Sequence, residues 1–285
     1  MAASRVPPTK EEPAQADELS YKWFAEHGFY RAVNARLLEL ADIRPGQRIV
    51  ELACGTGAVT RMILEKLRGA RDSVVIAIDY SAAALKEAAQ QLSSVRDSLL
   101  QLVQSRAEEL SRVVRERVDA IVFCNGIHNI QDKDVLLAEV SRALKAGGVF
   151  AFNTTFYQGG QPQETEQFYR RWMMKAIRLL KSQHGVTPQP QPKVEARRHL
   201  SKEQYRQLLA QHGLRVEREE EQVTHWPVEG FVDISRFEDF VEGCLPGVPL
   251  DLGSRALQEG ARLAWAEMGL QSVPRKWLEV VAVKG

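Results

Sequence analysis

Cysteine is scarce. The 285 residues hold three, Cys54, Cys124 and Cys244, far apart and never spaced as Cys-x-x-Cys. An odd count without paired spacing argues against a disulfide framework and leaves three reduced thiols, as expected of a cytoplasmic protein. The six histidines lack the His-Glu-x-x-His spacing of a helical zinc site, so no metal is expected. No stretch approaches the ~18 apolar residues of a membrane-spanning helix, so no membrane span is expected. Nor does the start of the chain resemble a signal peptide. Residues 1–20 carry Lys10, Glu11, Glu12 and three prolines, and are expected to be disordered. Charge of one sign is lacking too: 38 basic residues face 37 acidic ones, for a net charge of +1. That balance gives no reason to expect a nucleic-acid partner.

What is present is a globular chain, 44% apolar and 26% charged, long enough for a substantial core. Between residues 21 and 156 helices and strands alternate. Phe29, Tyr30, Val33, Leu37 and Leu40 place one helix over Tyr21 to Ala41. Short apolar strands follow at Arg48–Leu52, Val74–Ile78, Leu99–Gln104, Ala120–Cys124 and Val149–Phe152. Ser81 can cap one intervening helix, and Gly147 can close another that runs from Asp134 to Lys145. Strands this apolar, alternating with helices, imply a doubly wound α/β fold. Its mainly parallel sheet of about seven strands would have helices on both faces.

After Phe156 the pattern changes. Glu164 to His184 is an amphipathic helix ended by Gly185, with Tyr169, Trp172, Met173, Ala176, Ile177 and Leu180 on its stripe. Pro188 to Pro192 is a stiff linker, and Ser201 with Gln204 forms a capping box. Two late strands, one of them antiparallel, are expected at Leu214–Thr224 and Trp277–Val283, with helical patches at Phe231–Phe240 and Ser254–Met268 between them. The expected organisation is a core at 21–156, then 157–285 completing the sheet and carrying an inserted helical lid.

The chemistry concentrates where the first strand meets a glycine turn, Val50-Glu51-Leu52-Ala53-Cys54-Gly55-Thr56-Gly57. Gly55 and Gly57 let backbone approach a ligand, and the following helix offers free N–H groups. A nicotinamide dinucleotide would require a third glycine three residues after Gly57, where Thr60 stands. Glu51 would also repel a pyrophosphate, whereas it suits a ligand bearing an ammonium. The segment Glu51 to Gly57 resembles the first motif of the class I S-adenosylmethionine-dependent methyltransferases, in particular the small-molecule branch that includes quinone-biosynthesis enzymes. The resemblance covers roughly Tyr21 to Phe156.

The resemblance implies S-adenosylmethionine as cofactor and methyl transfer to a small molecule by in-line displacement. It implies that Glu51, Ala53, Cys54, Gly55 and Gly57 meet the cofactor, that Asp79 accepts from the ribose hydroxyls, and that Tyr80 lies on the adenine. Arg106 and Ala107 would meet the adenine edge, although the family usually has an acid or amide where Arg106 stands. Asn125 and Gly126 would touch the methionine part, and Tyr21, on the N-terminal helix, could close over it. In Asn125-Gly126-Ile127-His128 the last residue would face the substrate. These four residues replace the Asn/Asp-Pro-Pro-Tyr that grips planar amines in this fold, which argues against a DNA- or glutamine-methylating enzyme. His128 is the candidate base, and Tyr157, Trp172, Met173 and His225 are candidate substrate contacts. Cys54 lacks a neighbouring base or cation and reads as packing, not nucleophile. A nicotinamide-dependent oxidoreductase, or a methyltransferase-like binding protein without turnover, is the alternative.

Overall fold

Alternating side chains divide the core between the two faces of one sheet. Along β1 (Arg48–Leu52), Ile49 joins one apolar cluster while Val50 and Leu52 join the other. The structure, a computed structural model, describes residues 20–69, 72–94, 99–189 and 198–285. The expectation of disorder over 1–20 therefore falls almost wholly outside the described residues, as does most of the Pro188–Pro192 linker.

Beside β1 stand β2 (Val74–Asp79), β3 (Leu99–Gln104), β4 (Val118–Cys124), β5 (Leu144–Thr154), β6 (Leu214–Trp226) and β7 (Val273–Lys284). Their order is β3-β2-β1-β4-β5-β7-β6. The first five strands run parallel, and β7 lies antiparallel between β5 and β6. This is the expected seven-stranded, doubly wound sheet with its late antiparallel strand. The strand order reverses between β1 and β4, and in such sheets a ligand seats at the carboxyl ends beside that switch.

Helices α1 (Lys22–Ala25), α2 (Gly28–Leu40), α3 (Ala58–Lys66), α4 (Ala82–Gln91), α5 (Leu110–Val113) and α6 (Lys133–Ala143) accompany the parallel strands. Later come α7 (Glu166–His184), α8 (Lys202–Gln211), α9 (Val228–Ile234), α10 (Glu238–Cys244) and α11 (Leu250–Met268). One face of the sheet is covered by α2 and α3 with α7, α9 and α11, which pack on Ile49, Val122 and Trp277. The other is covered by α6 and α8, on Phe123, Phe150 and Leu278. As expected, Ser81 accepts from the Ala84 N–H at 3.2 Å, Ser201 and Gln204 form the capping box, and Gly185 ends α7 at φ +67°.

Several boundaries differ from expectation. The helix placed over Tyr21–Ala41 is broken at His27, whose backbone is extended and whose Nε2 lies 2.9 Å from Asp233 Oδ2 on α9. The helix expected to reach Lys145 stops at Ala143, because Leu144 is extended and already pairs with Val118. Gly147, at φ +73°, lies within β5 and caps no helix. The patch at Phe231–Phe240 spans parts of α9 and α10, separated by a turn. On α7 the buried stripe is Phe168, Trp172, Ala176 and Leu180, and Ile177 is exposed. Here α7 crosses α11 at Gly260, where a Cβ would stand 2.9 Å from the Ala176 nitrogen.

Candidate active site

Backbone conformation makes the loop between β1 and α3. Ala53, Gly55 and Gly57 all have positive φ, of +53°, +54° and +88°. Gly57 packs directly on α4, where a Cβ would meet Leu92 Cδ1 at 3.0 Å and Ala88 Cβ at 3.3 Å. A Cβ on Gly55 would meet nothing within 4 Å, so the loop presents open space at its tip. Asp79, at the end of β2, holds this tip in place. Its Oδ2 accepts from the Gly55 N–H at 2.8 Å and its Oδ1 from the Ser81 N–H at 2.9 Å.

Glu51 lies buried beneath the loop, and the Thr60 hydroxyl donates to its Oε2 at 2.5 Å. Burial pushes its carboxyl up to about 8, against the Thr60 hydrogen bond and with a further rise from Asp79. The Cys54 thiol is packed beside Ala77 and Leu85, and burial with the nearby Glu51 and Asp79 pushes its pKa up. A thiol held protonated in this way is packing, as the sequence indicates. Tyr80 presents its ring outward, 60% exposed, with its hydroxyl pushed up to about 12 by partial burial and by Asp239 and Asp79. Arg106 is exposed, 3.7 Å from Glu108, and Ala107 opens a single 3-10 turn.

A second constellation forms where β4 ends. Asn125, at φ +48°, accepts from the Thr155 N–H at 3.2 Å and donates its Nδ2 to the Tyr21 hydroxyl at 2.9 Å. Its own N–H donates to Asn153 Oδ1 at 2.9 Å, and Asn153 in turn donates to Asn34 Oδ1 at 2.8 Å. This chain ties α1 and α2 to the ends of β4 and β5. Gly126 is required by contact: a Cβ there would lie 2.1 Å from the Phe123 ring.

Tyr21 and Asn125 also face a cavity of about 910 Å³, with His128, Tyr169, Trp172, Met173 and Arg275 among its other lining residues. His128 lies 3.1 Å through Nδ1 from the Thr154 hydroxyl, with its ring 4.3 Å from that of Phe156. Its pKa is lowered well below the ordinary value, first by burial and then by His199, Lys133 and Arg275, so it is neutral at neutral pH. Trp172 donates its indole N–H to the Leu257 carbonyl at 2.7 Å, and most of its surface belongs to the core.

Two expected substrate contacts stand elsewhere. Tyr157 is buried on the other face of the sheet, where its hydroxyl donates to Glu221, because the chain turns beneath β5 immediately after Phe156. His225 is exposed on β6, 3.3 Å from the Ser272 hydroxyl, and does not line the cavity. The other expected cofactor contacts (Glu51, Ala53, Cys54, Gly55, Gly57, Asp79, Tyr80, Arg106, Ala107 and Gly126) do not line the cavity. Sequence reasoning missed Arg275. It precedes the apolar run that begins at Trp277, and there it is indistinguishable from a solvated strand end. Among the described residues no group of three or more His, Cys, Asp or Glu is placed to hold a metal ion, and no helix is long and apolar enough to cross a membrane.

A family profile described as a methyltransferase domain matches residues 50–150. A ubiquinone/menaquinone biosynthesis C-methyltransferase of Stenotrophomonas maltophilia is 35% identical over 123 residues, which is 42% of this chain and 47% of that protein. The chain thus spans about half the length of the curated relatives it matches. Among solved structures, a loganic acid methyltransferase with S-adenosylhomocysteine is similar at TM-score 0.63 and 12% identity, covering 98% of this chain and 99% of that one. The cyclopropane synthase MmaA2 of Mycobacterium tuberculosis is similar at TM-score 0.56 and 12% identity, covering 97% and 100%. The fold is the Rossmann-like fold of these enzymes.

Proposed function

We propose that this chain, a class I methyltransferase in fold with a methyltransferase domain over residues 50–150, moves a methyl group from S-adenosylmethionine to a small molecule held in the 910 Å³ cavity. The observation that carries this reading is the Gly55–Asp79 hydrogen bond, which joins the glycine turn of β1 to the acid ending β2. Residues from two adjacent strands thereby address one ligand at the switch in strand order.

The residues fit that cofactor. The open space at Gly55 admits a ligand against backbone. Asp79 uses one lone pair of each oxygen on N–H groups and keeps others for ribose hydroxyls. The outward ring of Tyr80 offers a face for adenine, and Arg106 with Ala107 stands at its edge. Buried Glu51 has no cationic partner among the described residues, and the amino group of a methionine moiety would supply one. Ala53, Cys54 and Gly57 shape the loop, while Tyr21, Asn125 and Gly126 separate this half of the site from the cavity.

Bound there, the cofactor supplies an electrophilic methyl group, and displacement in line requires mainly proximity and alignment from the protein. His128, neutral in the cavity wall, accepts a hydrogen bond or a proton from the acceptor without repelling a neighbouring sulfonium. Trp172 and Met173 on α7, with α9 and α10, roof the cavity as a lid and exclude water. We place the molecule in the cytoplasm, on its reduced cysteines. A nicotinamide-dependent reading has no comparable support: the position of the third glycine is Thr60, whose hydroxyl is engaged with Glu51.

Calorimetry with S-adenosylmethionine and S-adenosylhomocysteine tests the proposal. Binding is expected, and Asp79→Ala is expected to weaken it by about 1.5–3 kcal/mol, the scale of charge-assisted hydrogen bonds. No binding at millimolar cofactor overturns the reading, and unchanged affinity in Asp79→Ala removes Asp79 from the site.

A further inference from the structure

A buried guanidinium with no carboxylate partner among the described residues stands in the cavity wall. Arg275, on β7, is 7% exposed. Its Nε donates to the Thr155 hydroxyl at 2.8 Å, its Nη1 to the Tyr169 hydroxyl at 2.8 Å and its Nη2 to the Thr155 carbonyl at 3.1 Å. All three acceptors are neutral, and none of the hydrogen bonds of Arg275 among the described residues goes to a carboxylate. The rings of Phe156, Tyr169 and Trp226 lie 5.3, 5.4 and 5.9 Å from its Cζ, so aromatic faces surround the charge without neutralising it. An arginine has five N–H groups, and three are engaged, leaving one on each terminal nitrogen.

From this geometry we propose that the cavity takes a substrate bearing a carboxylate on an apolar body, with the carboxylate gripped by Arg275. The inference names the substrate class for the methyl-transfer reading and rests on that reading. Two N–H groups on the ends of one planar fork match the two oxygens of a carboxylate. A buried charge is costly to leave unpaired, and an anionic ligand removes that cost when it binds. Among the described residues the lining carries Arg198 and Arg275, with His128 and His199, against one carboxylate, Asp239. Neutral His128 adds no positive charge, so the buried part of the site offsets a single negative charge and suits a monoanion better than a phosphate dianion. Phe156, Trp172 and Met173 supply the apolar wall for the body of the ligand.

The test titrates protein saturated with S-adenosylhomocysteine, by calorimetry, with benzoate, cinnamate and decanoate, with the primary amide of each, and with phenyl phosphate. At least one acid is expected to bind about tenfold or more tighter than its amide, the loss of one charge-assisted pair. Arg275→Gln is expected to bring acid and amide to equal affinity while the affinity for S-adenosylhomocysteine is unchanged. Equal binding of acids and amides by the unaltered protein overturns the proposal. So does the absence of saturable acid binding at about 10 mM, where even a weak fragment site fills. Tighter binding of phenyl phosphate than of benzoate overturns the carboxylate assignment. If Arg275→Gln fails to fold, the comparison of acid with amide on the unaltered protein decides alone. Failure of S-adenosylhomocysteine to bind counts against the methyl-transfer reading instead, and the acid and amide series is then run on the unloaded protein.

Discussion

Glu51 is a buried carboxyl with no cationic partner among the described residues, and on the proposed reading its proton reports on the cofactor. Burial holds it near 8, so the free protein keeps the proton at neutral pH. An ammonium group within hydrogen-bond reach favours the ionised form, so binding expels the proton. A pKa that falls on binding means that affinity rises with pH until the free carboxyl is itself ionised, above about 8. Calorimetry in buffers of different ionisation enthalpy is expected to find release of about one proton per cofactor at about pH 7, fading above about pH 9. Glu51→Gln is expected to remove both the release and the pH dependence. At this scale the glycine turn and its acidic neighbours were legible in the sequence, but not what holds them. Thr60 appeared only as a missing glycine, while in the fold its hydroxyl is the hydrogen-bond donor to Glu51.

At the scale of elements, the packing of the late helices depends on how closely α7 and α11 approach. Gly260 allows it, since a Cβ would press on the backbone at Ala176 and Trp172, 2.9 and 3.1 Å away. Neither is a flexible side-chain end that can move aside. Alanine ordinarily gains about 1 kcal/mol over glycine inside a helix, and here the clash opposes that gain. Gly260→Ala is therefore expected to destabilise the protein by about 1–2 kcal/mol net, read from urea denaturation midpoints. A neutral or stabilising change would mean that the crossing is looser than described.

Helix and strand identities were legible because period and turn residues mark them locally. Their ends were less so. The break at His27 depends on Asp233, some two hundred residues away, and the end of α6 on the pairing of Leu144 with Val118. The same limit hid part of the cavity wall. Arg275 becomes part of a site only because β7 returns beside β5 and brings it to Thr155.

For the whole molecule, buried carboxyls set the pH dependence of stability. Glu279 on β7 is fully buried, neither of its oxygens has a hydrogen-bond partner among the described residues, and burial with nearby Glu220 pushes it to about 8. Its folded value lies above the ordinary 4.5, so the native state keeps a proton that the unfolded chain gives up. Stability is then greatest below about 4.5 as far as this group is concerned, and declines as pH rises toward about 8. Glu51 acts in the same direction over the same window. Each group removes up to about 1.4 kcal/mol per pH unit across that window. Glu279→Gln is expected to flatten the fall of the denaturation midpoint between about pH 5 and pH 8, leaving the share due to Glu51. An unchanged slope would show that Glu279 is ionised in the native protein.

The antiparallel insertion of β7 has a consequence for how the chain is made. A ribosome synthesises β6 before β7, the only strand with which β6 pairs among the described residues. The nascent chain therefore carries an open edge on β5 and an unpaired β6 until β7 emerges and closes both at once. The strands that bear the glycine loop are complete much earlier in synthesis, and Arg275 of the cavity wall arrives with β7. Chains that stop short of β7 combine an intact cofactor loop with an exposed sheet edge, the kind of surface on which chains pair with one another and aggregate.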